Sequence, residues 1–362
     1  MKKRGLIKNS LYFLAAAALS FTAFMSINER VSSLKGKEGI PLLAATLTIG
    51  KGNYDFTPVK KPADKKTKKA ERTSSIQKKI KKPVTSSNFP ENYYNTFSTH
   101  NSKKKYPIYT KHYTVGGKKY DNFYVKNNTD YNLNIGETIK KNLGFKLSGK
   151  NEVQVLIYHT HTSESFIDCD VGYYYSDYYP RTSDERYNVI AVGDELEKEL
   201  KKAGIGVIHD KTPHDDTYTG SYLRSRATIE KYLKKYPKIK VTLDIHRDSI
   251  GSDTYKIKPT FTYKGKKGAQ IMILSGYDPN GYFNFPNWNY NLRFALKLQK
   301  ECETKYSGMT RPLDFGNFAY NMNINTGSLL IEVGSDGNTL DEAKYSGKLL
   351  GKALVQVLQN SL

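Results

Sequence analysis

The chain has 362 residues, with 57 Lys and Arg against 35 Asp and Glu, two Cys and 29 Tyr. Two cysteines exclude a disulfide scaffold. A hydrophobic share of 38%, with the one long uncharged apolar run inside the first thirty residues, excludes a multi-pass membrane protein. The net charge of +22 suits nucleic acid, anionic lipid or anionic wall polymer alike, so its distribution matters more than its total.

In chain order, Lys2, Lys3, Arg4 and Lys8 precede the uncharged run Leu11 to Ile27, LYFLAAAALSFTAFMSI. Basic residues ahead of an apolar run hold that end in the cytoplasm, so the chain beyond the run is expected outside it. No small-x-small cleavage site closes the run. Residues 1–30 therefore read first as an uncleaved membrane anchor, with a cleaved signal segment as the alternative. Export removes nucleic acid from the expected partners. Residues 31–121 read as a disordered basic low-complexity linker: from Lys51 to Lys105 there are 15 basic and four acidic residues, half of the net charge, with no hydrophobic period.

From residue 122 to 362 strand and helix patterns alternate, the signature of an α/β domain with a mostly parallel sheet and flanking helices. Val153 to Tyr158 reads as a buried strand ending in HTHTSES. A helix over Tyr187–Ala203 closes at Gly204, a short strand covers Ile205–Ile208, and Ser221 caps a helix over Tyr222–Tyr236. Lys240 to Ile245 is a second buried strand, running into HRDS. A hairpin turns near Lys264 to Gly268, a helix spans Tyr290–Tyr306, and Leu329 to Val333 precedes a last helix, for which Thr339 and Glu342 form a capping box.

Ligand sites of such sheets lie at the carboxyl ends of the strands. His159 and His161 come directly after the first strand, Asp244, His246, Arg247 and Asp248 surround the end of another, and Glu332 sits within the last. Two imidazoles and a carboxylate are what a catalytic Zn²⁺ uses, with one position left open. HEXXH is absent. Cys169 and Cys302 show no metal-thiolate spacing, and whether they pair stays open.

The segments VLIYHTHTSES, LDIHRDS and LLIEVGSDGNTLDEA, with FYVKNNTDYNLNI upstream, resemble the stage II sporulation protein P family from about Asn122 to Leu362. That resemblance implies an amidase-like fold and a zinc-dependent N-acetylmuramoyl-L-alanine amidase. It also implies cross-link endopeptidase action, a membrane-anchored enzyme facing the space between mother cell and forespore during engulfment, and a stage II sporulation protein D-type lytic transglycosylase as partner. Carried onto this chain, it places the metal ligands at His161, Glu185 and His246, with His159, Glu164 and Asp184 as rivals, and the catalytic carboxylate at Glu332.

Asp244 and Asp248 flank His246 and either fix its tautomer or cap the loop. Arg247 either orients a stem-peptide carboxylate or pairs with Asp248, the ion pair being preferred. The stretch Tyr173 to Tyr179 is a candidate groove wall. The competing function is a non-catalytic wall-binding protein that retains the fold, which zinc content would separate from the enzyme.

Overall fold

Strands begin earlier than the sequence suggests. The computed structural model describes residues 104–149 and 152–360, and its first strand already lies inside the expected linker. This is β1, Lys105–Lys111, followed by β2, Lys118–Tyr120, and β3, Phe123–Asn127. β1 pairs in parallel with β9 (Tyr255–Tyr263), Thr110 standing opposite Lys258, and antiparallel to β5 (Tyr173–Tyr175). The folded part therefore starts before residue 122. Basic composition hid this, because β1 lies mostly exposed and carries lysines at both ends.

After the short helix α1, Ile135–Lys140, come β4 (Val153–Tyr158), α2 (Val189–Lys202), β6 (Gly206–His209), α3 (Ser221–Lys235) and β7 (Val241–Asp248). The two-residue β8 (Gly251–Ser252) pairs with β9, and β10 (Lys266–Ala269) closes the hairpin with it. Its loop residues Lys264 and Gly265 both have positive φ, as a two-residue hairpin turn requires. The chain then leaves that sheet. β11 (Ile271–Gly276), α4 (Trp288–Lys305), β12 (Leu313–Gly316), β13 (Ser328–Ser335) and α5 (Leu340–Gln359) complete the order.

The main sheet has eight strands in the order β2-β3-β12-β11-β13-β7-β4-β6. β13, β7, β4 and β6 run parallel, while β11 lies antiparallel to β13. A second sheet, β10-β9-β1-β5 with β8 on β9, goes beyond the single sheet expected from the sequence. The capping box forms as expected, with Thr339 and Glu342 each satisfying the other's backbone N–H. Ser221 does not cap α3: the N-cap is Gly220 at φ 83°, and Ser221 is the first helical residue.

α2 presents Val189, Val192, Leu196 and Leu200 to the core, and α5 packs against it. The two helices approach closely where α5 carries glycine: a Cβ on Gly347 would stand 2.9 Å from Val192 Cγ1, and one on Gly351 3.0 Å from Glu199 Cβ. This packing fixes α2, and hence the segment leading into it, against the sheet.

No disulfide joins Cys169 and Cys302. Cys169 Sγ lies 3.5 Å from Asp168 Oδ1, and Cys302 is buried in α4. Leu11 to Ile27 lies outside the described residues. Among those described, no helix is long and apolar enough to cross a membrane.

Candidate active site

β4, β7 and β13 are adjacent and parallel, so their carboxyl ends share one edge. Register then aligns the chemistry: Glu332 on β13 stands opposite His246 on β7. Alternation puts Asp244, His246 and Asp248 on the same face of β7.

The two imidazoles after β4 have different fates. His159 is saturated, with Nδ1 donating to Ile245 O at 2.8 Å and Nε2 2.8 Å from His209 Nε2. Because a carbonyl oxygen only accepts, His159 carries its proton on Nδ1 and turns the Nε2 lone pair to His209. Burial, joined by the neighbouring His209, pushes it down to about 3. It has no nitrogen left for a ligand, and Gly193 makes the pairing possible, since a Cβ there would stand 2.5 Å from His209 Nε2.

His161 is the free one. Its Nδ1 is buried without a hydrogen-bond partner, and burial pushes the imidazole down to about 4. Its ring stacks on Tyr218 at 4.7 Å and lies perpendicular to His246 at 5.3 Å between centroids. Tyr222, at the start of α3, meets it edge-on at 5.7 Å.

His246 sits between two carboxylates. Nε2 is 2.8 Å from Asp244 Oδ1, though not well aligned for a hydrogen bond, and Nδ1 is 3.5 Å from Glu164 Oε2. Burial would lower it, yet Asp244 and Glu164 together hold it well above the ordinary histidine range. Asp244 is itself locked by Thr160, whose backbone N–H and hydroxyl donate to its two oxygens at 2.8 and 2.6 Å. Asp244 thus orients the imidazole, and the capping alternative is also met through Thr160.

Glu164, one of the rivals, supplies the nearby carboxylate; the first choice, Glu185, does not. Glu185 is 52% exposed and faces Lys211 at 3.8 Å, and Asp184 pairs with Arg186. The reason lies in the segment 162–188. Glu164 bridges to Arg181 and Ser165 to Asn188, folding the segment back so that Glu164 lies beside β7 while Glu185 is carried to the surface. Burial would raise the Glu164 carboxyl, but Arg247 and His246 hold it far below the usual carboxylate range. The Arg247 backbone N–H also donates to its Oε2 at 3.1 Å.

Arg247 is buried and spent on the same segment: Nε donates to Ser165 O at 3.1 Å and Nη2 to Pro180 O at 2.6 Å. The expected ion pair with Asp248 does not form. Asp248 Oδ2 accepts instead from Arg311 Nη1 at 2.9 Å; Arg311 carries no sequence signal because it precedes a short strand, β12, with little pattern of its own. Glu332 keeps partial exposure as a residue, while its Oε2 is sealed and without a partner. Burial, then Asp248, raises its carboxyl to about 8.

The residues fit a zinc ion. A buried unpartnered nitrogen on His161, an imidazole on His246 oriented from behind, and an ionised Glu164 make the N, N, O donor set that Zn²⁺ takes. Asp194, Glu197 and His209 form a second group, the only one among the described residues whose three donor atoms all lie within 4.8 Å of one another. Lys211 Nζ, 2.9 Å from Asp194, already brings a cation there. The stretch Tyr173 to Tyr175 lies in the second sheet, against β1; the aromatic neighbours of His161 are Tyr218 and Tyr222.

A family model described as Stage II sporulation protein P matches residues 30–355. No curated protein matches the chain. Among solved structures, the N-acetylmuramoyl-L-alanine amidase AmiC2 of Nostoc punctiforme is 12% identical, with 59% of this chain and 98% of that one covered at a TM-score of 0.34. The CwlD amidase from Clostridioides difficile, solved in complex with the GerS lipoprotein, is 13% identical, with 57% and 98% covered and a TM-score of 0.34. An N-acetylmuramoyl-L-alanine amidase from Clostridium difficile 630 is 18% identical, with 58% and 96% covered and the same TM-score of 0.34.

Proposed function

Since the chain belongs to the stage II sporulation protein P family, we propose that it is a peptidoglycan hydrolase of sporulation that cleaves the amide between N-acetylmuramic acid and the L-Ala of the stem peptide. The observation that carries this reading is Glu332, a carboxyl with a sealed unpartnered oxygen standing in register with His246 beside a set of zinc-type donors. His161, Glu164 and His246 would hold the metal. Zinc bound there supplies a Lewis acid for the amide carbonyl.

The chain's own residues do the rest. Asp244, clamped by Thr160, keeps His246 in place, and Arg247 ties the Glu164 segment down through Ser165 and Pro180. Glu332 takes a proton from the attacking water as the new C–O bond forms and delivers it to the leaving nitrogen as the C–N bond breaks. Leu11 to Ile27 anchors the enzyme in the membrane with the domain outside the cytoplasm, where a stage II sporulation protein D-type lytic transglycosylase acts on the denuded glycan. Endopeptidase action on cross-links belongs to the same reading.

Incubating the zinc-loaded protein with purified sacculi and analysing the fragments by mass spectrometry tests it. Release of intact stem peptides bearing a free L-Ala amine is expected. Sacculi that bind the protein but stay intact would favour a wall-binding role.

A further inference from the structure

Three guanidinium groups surround the candidate active site, and two are committed. Arg247 uses Nε and Nη2 on backbone carbonyls, and Arg181 Nη1 is 2.7 Å from Asp215 Oδ2. Arg311 differs. It is 7% exposed, its Nη1 donates to Asp248 Oδ2, and both Nε and Nη2 are buried with no acceptor.

Burying an N–H without an acceptor costs free energy, more for a charged group, and here two are left together. Nε and Nη2 form one edge of the guanidinium, two parallel N–H groups spaced to meet both oxygens of a carboxylate. That edge fits a planar two-oxygen anion such as a carboxylate, whereas on Arg247 the same two nitrogens are taken by two backbone carbonyls.

Position ties the edge to the chemistry. The Arg311 backbone N–H donates to Ile271 O at 2.8 Å at the start of β11, and Met272 on that strand stands opposite Glu332. From there the side chain spans β11 and β13 to reach Asp248 at the end of β7. It therefore crosses the end of the strand that carries Glu332. One bond to a partly exposed Asp248 holds the head group.

We infer that Arg311 anchors a carboxylate of the stem peptide, reading the residue after L-Ala by its free α-carboxylate and rejecting the α-carboxamide. This rests on the amidase reading, and takes over the role considered for Arg247 on sequence grounds.

The test is titration calorimetry on the zinc-loaded full-length chain with N-acetylmuramoyl-L-alanyl-D-glutamate and its α-carboxamide, in parent, Arg311→Gln and Arg311→Lys, with kcat and KM measured on the same pair. The parent should prefer the acid by about 10- to 100-fold in binding and in KM, the scale of a charge-assisted pair. Arg311→Gln should bring the ratio to about one, and Arg311→Lys, which keeps the charge but not the fork, should fall between. Equal binding of the two ligands by the parent overturns the inference. So does a preference that survives Arg311→Gln, or a variant that weakens both ligands alike, which would mean that Arg311 only braces Asp248. A parent that prefers the acid yet releases nothing from sacculi would sink the amidase reading and leave the carboxylate anchor standing.

Discussion

Replacing Glu332 by Gln keeps the shape and removes the titrating oxygen, so it separates the proton role from the scaffold. Stem-peptide release should fall by about a hundredfold or more, the scale of a lost general base, while zinc content stays near that of the parent. The metal-free protein gives an independent readout. Burial and Asp248 raise the carboxyl from 4.5 to about 8, so between those values the native state holds a proton that the unfolded chain releases. Its stabilising contribution is fully present below 4.5 and is lost as pH rises towards 8. At about 1.4 kcal/mol per pH unit the loss has a ceiling of ~5 kcal/mol, reduced by whatever relaxation Asp248 and Arg311 allow. Gln carries no such dependence. Urea unfolding of chelator-treated protein between about pH 5 and 8 should therefore show the variant gaining on the parent as pH rises, and zinc should narrow the gap because a nearby cation favours the ionised carboxylate. Parallel stability curves for parent and variant would refute the burial argument, and parental cleavage by the variant would refute the proton role.

His246→Ala and Glu164→Gln should each abolish zinc binding, measured by elemental analysis of dialysed protein, whereas Glu185→Gln should keep it; the reverse pattern for the two glutamates would restore the assignment the sequence favoured. Gly193→Ala drives a Cβ to 2.5 Å from His209 Nε2 and 3.0 Å from His159 Nε2, and should lower stability by about 1–3 kcal/mol in denaturant titration. Protease added to intact protoplasts should digest the domain, and full protection would place it in the cytoplasm instead.

The strands were legible because each is a short apolar run whose polar ending breaks the pattern, and Val153–Tyr158, Val241–Asp248 and Ser328–Ser335 fall where those runs do. Their convergence was legible too, since the ends of parallel strands share an edge; the strand order and the register that sets Glu332 opposite His246 come from the fold. The second sheet was not. β1 is built from KYPIYTK, which reads as linker, and only a partner far downstream in β9 makes it a strand. The position of the middle carboxylate was not legible, for a related reason. Sequence places Glu164, Asp184 and Glu185 in one irregular stretch of similar composition, and nothing local ranks them. What ranks them is tertiary: two isolated bridges, a helix start whose Val189 N–H donates to Glu164 O at 2.9 Å, and the buried Arg247 reaching back to Ser165 and Pro180. Arg311 was invisible on the same ground. Its importance lies in the acceptors it lacks, and an unsatisfied N–H becomes a signal only once the rest of the fold has claimed every other partner.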